Sequence, residues 1–301
     1  MSGMPAQAGS GLVRIRFFLP SAELAPYVST YYLTEASQAD GVIEDYLHPE
    51  WANLRVVADG AIFASIGGAD TQRTPGFVAT GPTSVATRFG LAPGRYWGIG
   101  LLPAGWARFV DAAASVHADR FGDAAADPAF AAFRALPGII EGADGVAGEA
   151  AAIEAFMQTL LARPEIEEPR ILALHRALVG GEVETVAALA QGMGISARSL
   201  ERLANQVFGF PPKLLLRRQR FLRCLAQFML DPSLKWLNTL DWHYHDQAHF
   251  TRDFRRFMTM SPREYAKRDH PVLRAAAIGR SQATGQAVQG LHDPAGAQAK
   301  D

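Results

Sequence analysis

The sequence is poor in cysteine, because Cys224 is the only one among its 301 residues. A single cysteine excludes an intrachain disulfide and fits a reducing compartment. The thiol lies in an apolar-rich segment, which favours a buried structural cysteine over a redox sensor. We therefore expect no disulfide framework.

Long apolar runs and a secretory leader are also lacking. No stretch is apolar over the length that a bilayer requires, and the first residues do not have the pattern of a signal peptide. These absences predict a cytoplasmic protein without a membrane partner. A chain of this length is typical of two domains.

Constellations typical of catalysis are missing as well. The N-terminal half has neither a Ser/His/Asp nor a Cys/His set, and Gly67-Gly68 lacks the lysine or helix of a phosphate-binding loop. Glu44-Asp45 precede His48 with no second histidine nearby, and His117 stands alone. We predict no catalytic residue, no cofactor and no enzymatic activity.

The histidines near residue 245 form the one possible metal cluster. His245 and His249 are four residues apart, a spacing that can chelate zinc, and His243 is close by. No cysteine or carboxylate is placed to complete a tetrahedral site. Phosphate contact or helix packing is therefore favoured over a metal.

Charge is nearly balanced overall but unevenly distributed. The formal net charge is −1, yet residues 170–270 contain 16 Lys+Arg against 9 Asp+Glu. A basic C-terminal part on an acidic body is typical of a protein that meets phosphate with one domain only.

Residues 183–222 show a pattern typical of DNA reading. A short apolar-periodic helix leads to Gly194, which can adopt the positive φ of a tight turn, and Ser196 is a good N-cap for the next helix. On that helix, Arg198, Arg202 and Asn205 share the face opposite the apolar stripe. Arginine can pair with guanine and asparagine with adenine in a major groove.

The plan is repeated further along the chain. Residues 211–230 predict a long helix that starts at proline, and another helical pair follows it. Phe250, Phe254 and Phe257 recur at helical spacing as a buried stripe. Two such units on one rigid helix would place two reading helices about one DNA turn (~34 Å) apart.

Residues 182–268 resemble the DNA-binding domain of the AraC/XylS family of bacterial transcription regulators. The resemblance is carried by "GISARSLERL" (194–203), "FGFPPK" (208–213), "DQAHFTRDFRRF" (246–257) and "SPREY" (261–265). It departs from the family at His243, where a turn glycine is usual, and at Asp241, where a small apolar residue is expected. Histidine can enter the left-handed region at some cost, so the second turn remains possible.

The matching positions imply a set of DNA contacts. We expect base contacts from Arg198, Ser199, Arg202, Gln247, Ala248 and Arg252. We expect phosphate contacts from Ser196, Lys213, Arg217, Arg218, His249 and Arg255. Base contacts specify sequence, whereas phosphate contacts position the protein.

The N-terminal part reads as short strands. Runs rich in β-branched and aromatic residues alternate with Gly, Pro and Asp from Val13 to Leu102, and the last of them predicts a hairpin around Ala92-Pro93-Gly94. The pattern indicates a small sandwich or barrel, and it resembles the cupin-like sensing halves of the same family. Aromatic residues could line a ligand pocket or simply form core: Tyr31, Tyr32, Phe63, Phe77, Tyr96 and Trp97.

The predicted fold class is α+β, a β-rich, cupin- or jelly-roll-like domain followed by an all-α DNA-binding domain with two helix-turn-helix units. The predicted order is a disordered start (1–11), β-rich domain (12–118), helical connector (119–163), linker (164–169), DNA-binding domain (170–270) and disordered tail (275–301). Residues 151–162 form an amphipathic helix for which a dimer interface and packing on its own sheet are equally favoured.

The sequence therefore predicts a sequence-specific transcriptional regulator that binds double-stranded DNA. The family resemblance adds RNA polymerase as a partner, with a small-molecule effector and a homodimer as further possibilities. Two alternatives stay open. One is a constitutive regulator whose N-terminal domain only dimerises, and the other is a ligand-binding or catalytic cupin with an accessory DNA-binding domain.

Overall fold

A computed structural model describes residues 6–37, 41–162, 168–230 and 247–294. A β-rich N-terminal domain is followed by a helical C-terminal domain, as the sequence predicts. The strands are β1 (Ala6–Ser10), β2 (Val13–Phe18), β3 (Val28–Ala36), β4 (Ile43–Leu47), β5 (Ala52–Asp59), β6 (Ile62–Ile66), β7 (Gln72–Arg73), β8 (Phe77–Thr80), β9 (Thr87–Leu91), β10 (Gly94–Leu101) and β11 (Phe121–Asp123).

These strands form two antiparallel sheets. The larger sheet has the order β1-β2-β3-β10-β5-β8-β11, and the smaller one has the order β4-β9-β6-β7. Ile15 and Phe17 of the larger sheet share a buried cluster with Ile62 and Phe89 of the smaller one. Alternating buried positions, as in β2, allow each sheet to turn one apolar face toward the other.

The predicted hairpin around Ala92-Pro93-Gly94 is wrong. β9 pairs with β4 and β6, whereas β10 pairs with β3 and β5, so the short connection passes from one sheet to the other. Turn-forming residues mark the change of direction correctly. They do not reveal which strands become neighbours, because that depends on contacts distant in sequence.

The expected disorder at the start of the chain is also corrected. Ala6 to Ser10 pair in register with β2, from Ala6 opposite Phe17 to Ser10 opposite Val13. Backbone hydrogen bonds to an existing sheet can order a segment of small residues that has little side chain to bury. The sheet also gains β11 beyond residue 118, so the strands extend past the predicted end of the β-rich domain.

Helices α1 (Pro103–Phe109) and α2 (Ala114–His117) lie between β10 and β11, and α3 (Leu136–Glu141) and α4 (Gly145–Leu160) follow β11. On α4, Ile153 and Met157 are fully buried in the same cluster as Trp97 of β10. The Glu149 carboxylate accepts hydrogen bonds from Trp97 Nε1 at 2.8 Å and from Arg95 Nη2 at 2.7 Å. Of the two roles predicted for this helix, the structure shows packing on its own domain.

The C-terminal helices are α5 (Glu168–Gly180), α6 (Val186–Gly192), α7 (Ala197–Leu203), α8 (Pro212–Leu230), α9 (Gln247–Met258) and α10 (Pro262–Ala266). A π-helical turn, Ala204–Phe208, continues α7. The predicted linker falls mostly on residues 163–167, outside the described ranges. The first helix of the second unit, together with Asp241, His243 and His245, is outside them too.

The tail predicted as disordered instead contains helix α11 (Pro271–Thr284) and a 3-10 turn, Gln289–Leu291. Val272 and Ala275 of α11 are buried in the same cluster as the two sheets. Small residues gave little apolar signal, yet they let the helix approach β1 and β2 closely. Gly285 then ends the helix in the left-handed region, with φ of 76°.

The core is continuous across the two domains. One buried cluster extends from Leu24 and Trp51 of the β-rich domain to Leu200, Phe208 and Leu215 of the helical domain. Gly209 has φ of 83° and lies against Pro82, a place where a side chain would be both strained and obstructed. This loop therefore meets the β-rich domain closely.

Candidate nucleic-acid interface

The first helix-turn-helix unit consists of α6 and α7. Thr185 caps α6 by accepting a hydrogen bond from Ala188 N, and Ser196 caps α7 by accepting one from Ser199 N at 3.1 Å. Between them Gly194 has φ of 63°, the backbone state that the sequence predicted for this turn. Leu200 and Leu203 hold α7 to the core.

The solvent face of α7 carries three of the predicted base-reading residues. Arg198 and Arg202 are exposed, and Ser199 is half-buried. The hydroxyls of Ser196 and Ser199 lie 3.0 Å apart, and Arg202 Nη1 donates to Gln206 Oε1 at 3.4 Å. Asn205 instead turns back and donates to the carbonyl of Glu201 at 2.9 Å. The helix can present two arginines to a groove.

Helix α9 likewise has one buried apolar face and one exposed face that carries arginines. Phe250, Phe254 and Phe257 are buried against Phe221 of α8, which confirms the predicted stripe. Ala248, Arg252 and Arg255 are exposed on the other side. The side chain of Gln247 lies outside the described part of the chain.

An ion pair that the sequence did not reveal fixes α9 on α8. Asp253 is fully buried and accepts a hydrogen bond from Arg217 Nε at 2.6 Å, and Arg220 Nη2 lies 3.7 Å from the same carboxylate. Removing one partner from a buried pair usually leaves a costly unpaired charge. Arg217 thus holds α9 in place on α8.

The predicted phosphate contact of Arg218 is wrong. Its side chain is fully buried, with Cζ 4.0 Å from the centroid of the Trp51 ring. Nη1 donates to the carbonyl of Thr83 at 2.9 Å, and burial lowers the pKa of this guanidinium to about 9. Helical spacing places Arg217 and Arg218 on adjacent faces, and Arg218 lies on the face covered by the β-rich domain.

The remaining predicted phosphate ligands have different environments. Lys213 is exposed and His249 is half-buried, and both line a cleft that also contains Arg220, Arg223 and Arg252. This concentration of cations suits a phosphate backbone.

Cys224, also on α8, is buried. Burial raises the pKa of its thiol to about 11, which agrees with a structural role.

Direct contacts connect the second unit to the β-rich domain. Tyr265 Oη lies 2.9 Å from His48 Nε2, and burial lowers the pKa of that histidine to about 3. The amide of Ala86 donates to the carbonyl of Phe257 at 2.6 Å. These contacts join the segments that flank β4 and β9 of the smaller sheet to α10 and α9.

A stronger connection joins β4 to α11. Asp45 is fully buried, and its carboxylate accepts hydrogen bonds from the amides of Val272 and Leu273 at 2.9 and 2.8 Å. The same carboxylate lies 2.9 Å from His270 Nδ1. Asp45 thus caps a helix that starts 226 residues later in the chain, counted from Asp45 to Pro271.

The β-rich domain also contains a cavity of about 110 Å³. Of the aromatics proposed from the sequence, Tyr32, Tyr96 and Trp97 line it, whereas Tyr31 and Phe77 belong to the core. Arg280 of α11 reaches the same cavity. The sequence could not place Arg280 there because the tail carried no strong helical pattern.

Within the residues that the structure describes, no group of three or more His, Cys, Asp or Glu side chains is arranged to hold a metal ion. Nor does any helix in this part combine the length and apolarity needed to cross a membrane.

Comparison with known proteins identifies one domain of the chain. A family model for a helix-turn-helix domain matches residues 189–268. A comparison with curated proteins gave no match.

Among solved structures, ToxT from Vibrio cholerae O395 aligns at 11% identity over 76% of this chain and 94% of its own, with a TM-score of 0.41. ToxT from Vibrio cholerae strain SCE256 with a bound unsaturated fatty acid aligns at 9% identity over 86% and 96%, with a TM-score of 0.42. The AraC-like transcriptional activator CuxR aligns at 13% identity over 72% and 82%, with a TM-score of 0.31. These likenesses are weak, and the assignment depends on the domain match. Residues 189–268 therefore form an AraC-type helix-turn-helix domain.

Proposed function

We propose that this protein is a sequence-specific transcriptional regulator that reads two adjacent major grooves with α7 and α9. The observation that carries the proposal is the pair of capped or packed helices whose outer faces expose Arg198, Arg202 and Arg252. Each good bidentate contact between arginine and guanine discriminates by roughly 1–3 kcal/mol.

The proposed base-reading set also includes Ser199, Gln247 and Ala248. The proposed phosphate-contacting set includes Ser196, Lys213, His249 and Arg255. Arg217 stays in the phosphate set as a proposal, although its ion pair with Asp253 already engages part of the guanidinium. Double-stranded DNA is the partner, so the protein acts in the cytoplasm. RNA polymerase and a second copy of the chain are further proposed partners.

The test is binding of the full chain to DNA from upstream of its own gene and to scrambled DNA, measured by fluorescence anisotropy at several salt concentrations. Arg202→Ala and Arg252→Ala are compared with Arg263→Ala, an exposed arginine on α10 away from the proposed set. We expect both reading-helix variants to lose about tenfold or more in preference for the specific DNA. Equal weakening on every DNA would refute base reading.

Modulation by a small ligand is the second part of the proposal, and the cavity in the β-rich domain supports it. In the alternative of a constitutive regulator, no small molecule would change DNA affinity. The alternative of a catalytic cupin requires a metal or a nucleophile, and metal analysis of the purified protein distinguishes it.

A further inference from the structure

Two connecting segments of the β-rich domain contact both helix-turn-helix units. One, residues 48–51, joins β4 to β5, and the other, residues 82–86, lies between β8 and β9. They are cross-linked, because Thr83 N donates to the carbonyl of Glu50 at 3.0 Å and Glu50 N donates to Thr83 Oγ1 at 2.9 Å. Thr83 is fully buried. Together the two segments form what we call the bridge.

The bridge contacts the first unit and α8. The Trp51 ring packs edge to face with Phe208, in the π-helical turn that continues α7, with the two centroids 5.7 Å apart. Arg218 of α8 donates from Nη1 to the carbonyl of Thr83 at 2.9 Å. These contacts fix the end of α7 and the first half of α8 relative to the bridge.

The second unit contacts the same bridge. Ala86 N donates to the carbonyl of Phe257, in the last turn of α9, at 2.6 Å. Tyr265 Oη of α10 lies 2.9 Å from His48 Nε2. Each segment of the bridge therefore contacts the second unit as well as the region of α7 and α8, so the two units cannot shift relative to each other without breaking some of these contacts.

We propose that the bridge sets the distance and angle between α7 and α9, so that the protein selects DNA by the spacing of two half-sites as well as by their bases. His48, Thr83 and Tyr265 are positioning residues for the two reading helices. One inserted base pair moves a half-site by about 3.4 Å and turns it by about 35°, since a turn of about 34–36 Å contains about 10–10.5 base pairs. The effect on DNA rests on the proposed function, whereas the fixed geometry does not.

The geometry is tested without DNA, by electron paramagnetic resonance distances between nitroxide labels on α7 and α9. The labels are attached to Glu201→Cys and Arg256→Cys, two exposed positions outside the proposed contact sets, in a Cys224→Ala chain. We expect a narrow distance distribution with the bridge unmodified and a broader one with Thr83→Val, which removes the hydroxyl that accepts from Glu50 N. Thr83→Ser keeps that hydroxyl and should restore the narrow distribution. Equal widths in all three chains overturn the proposal.

The DNA test uses the tightest duplex that the unmodified chain selects from a random library, and the same duplex with one base pair added between its half-sites. The unmodified chain should bind the longer duplex at least about tenfold more weakly, because one unit loses its base contacts. In Tyr265→Phe, which removes the hydroxyl beside His48, this penalty should fall by about threefold or more, as expected for one lost hydrogen bond. Tyr31→Phe is the matched control, because it removes a hydrogen bond to Glu154 inside the β-rich domain, and it should keep the full penalty.

An unchanged spacing penalty in both Tyr265→Phe and Thr83→Val would show that α8 alone sets the geometry, and it would overturn the proposal. If Thr83→Val does not fold, Tyr265→Phe decides by both measurements. Failure of the unmodified chain to select any duplex would refute the proposed function, and the label distances would then decide the role of the bridge.

Discussion

At the scale of the residue, several buried histidines are held neutral. Burial lowers the pKa of His48 and His175 to about 3 and that of His292 to about 4. Their pKa in the unfolded chain is about 6.5. The unfolded state therefore binds more protons between about pH 4 and 6.5, so the free energy of unfolding should fall as the pH falls through this window.

His175 offers the clearest test of this acid sensitivity. Neither of its ring nitrogens has a hydrogen-bond partner among the described residues. Its ring packs edge to face with the Trp51 ring, with the two centroids 5.3 Å apart. We expect His175→Phe to keep or increase stability at neutral pH and to reduce the acid slope by about 1.4 kcal/mol per pH unit. Urea unfolding at several pH values measures this. An unchanged slope would show that His175 is not held neutral.

The burial of Arg218 leads to a prediction about salt. Arg218→Met should leave the salt dependence of DNA affinity unchanged, because this guanidinium lies beneath the β-rich domain. Lys213→Met, on the exposed start of the same helix, should lower the salt slope by about 1. The measurement is DNA Kd across a salt series. A similar decrease of the salt slope in both variants would show that Arg218 does contact phosphate.

At the scale of the element, Asp45 determines whether α11 stays in place. Asp45→Ala removes the cap of α11 and the partner of His270, so we expect a loss of about 3–5 kcal/mol, the range for breaking a buried pair. Hydrogen exchange of the α11 amides should accelerate. Glu44→Ala is the matched control: its ion pair with Arg88 is exposed and should contribute at most about 1 kcal/mol. Equal effects would contradict the capping role.

How far sequence predicts an element here depends on whether its determinants are local. The turn at Gly194, the cap at Ser196 and the stripe of Phe250, Phe254 and Phe257 are local patterns, and the structure contains all three. Helix α11 and the pairing of β9 depend on Asp45 and on distant strands, which no local pattern encodes. Arg217 and Arg218 show the same limit, since the covering domain decides which one is buried.

At the scale of the whole molecule, the shared core predicts cooperative unfolding. Buried side chains form one cluster from Leu24 to Leu215, so neither domain can lose its packing alone without exposing part of the other. We expect a single calorimetric transition, with the calorimetric enthalpy equal to the van't Hoff enthalpy. Two separated transitions would contradict this. Asp45→Ala is the comparison variant. It removes the cap that holds α11 on the β-rich domain, so its calorimetric transition should be broader or split.

Helix α11 has a final consequence for how the DNA-binding domain can travel. The chain leaves the β-rich domain before α5 and returns to it at α11. The helical domain is therefore connected to the β-rich domain at both of its ends. If it detached to follow DNA, the two tethers would keep it at a high effective concentration near its docking surface. Release would then be brief and readily reversed, because the core that the two domains share favours the docked form.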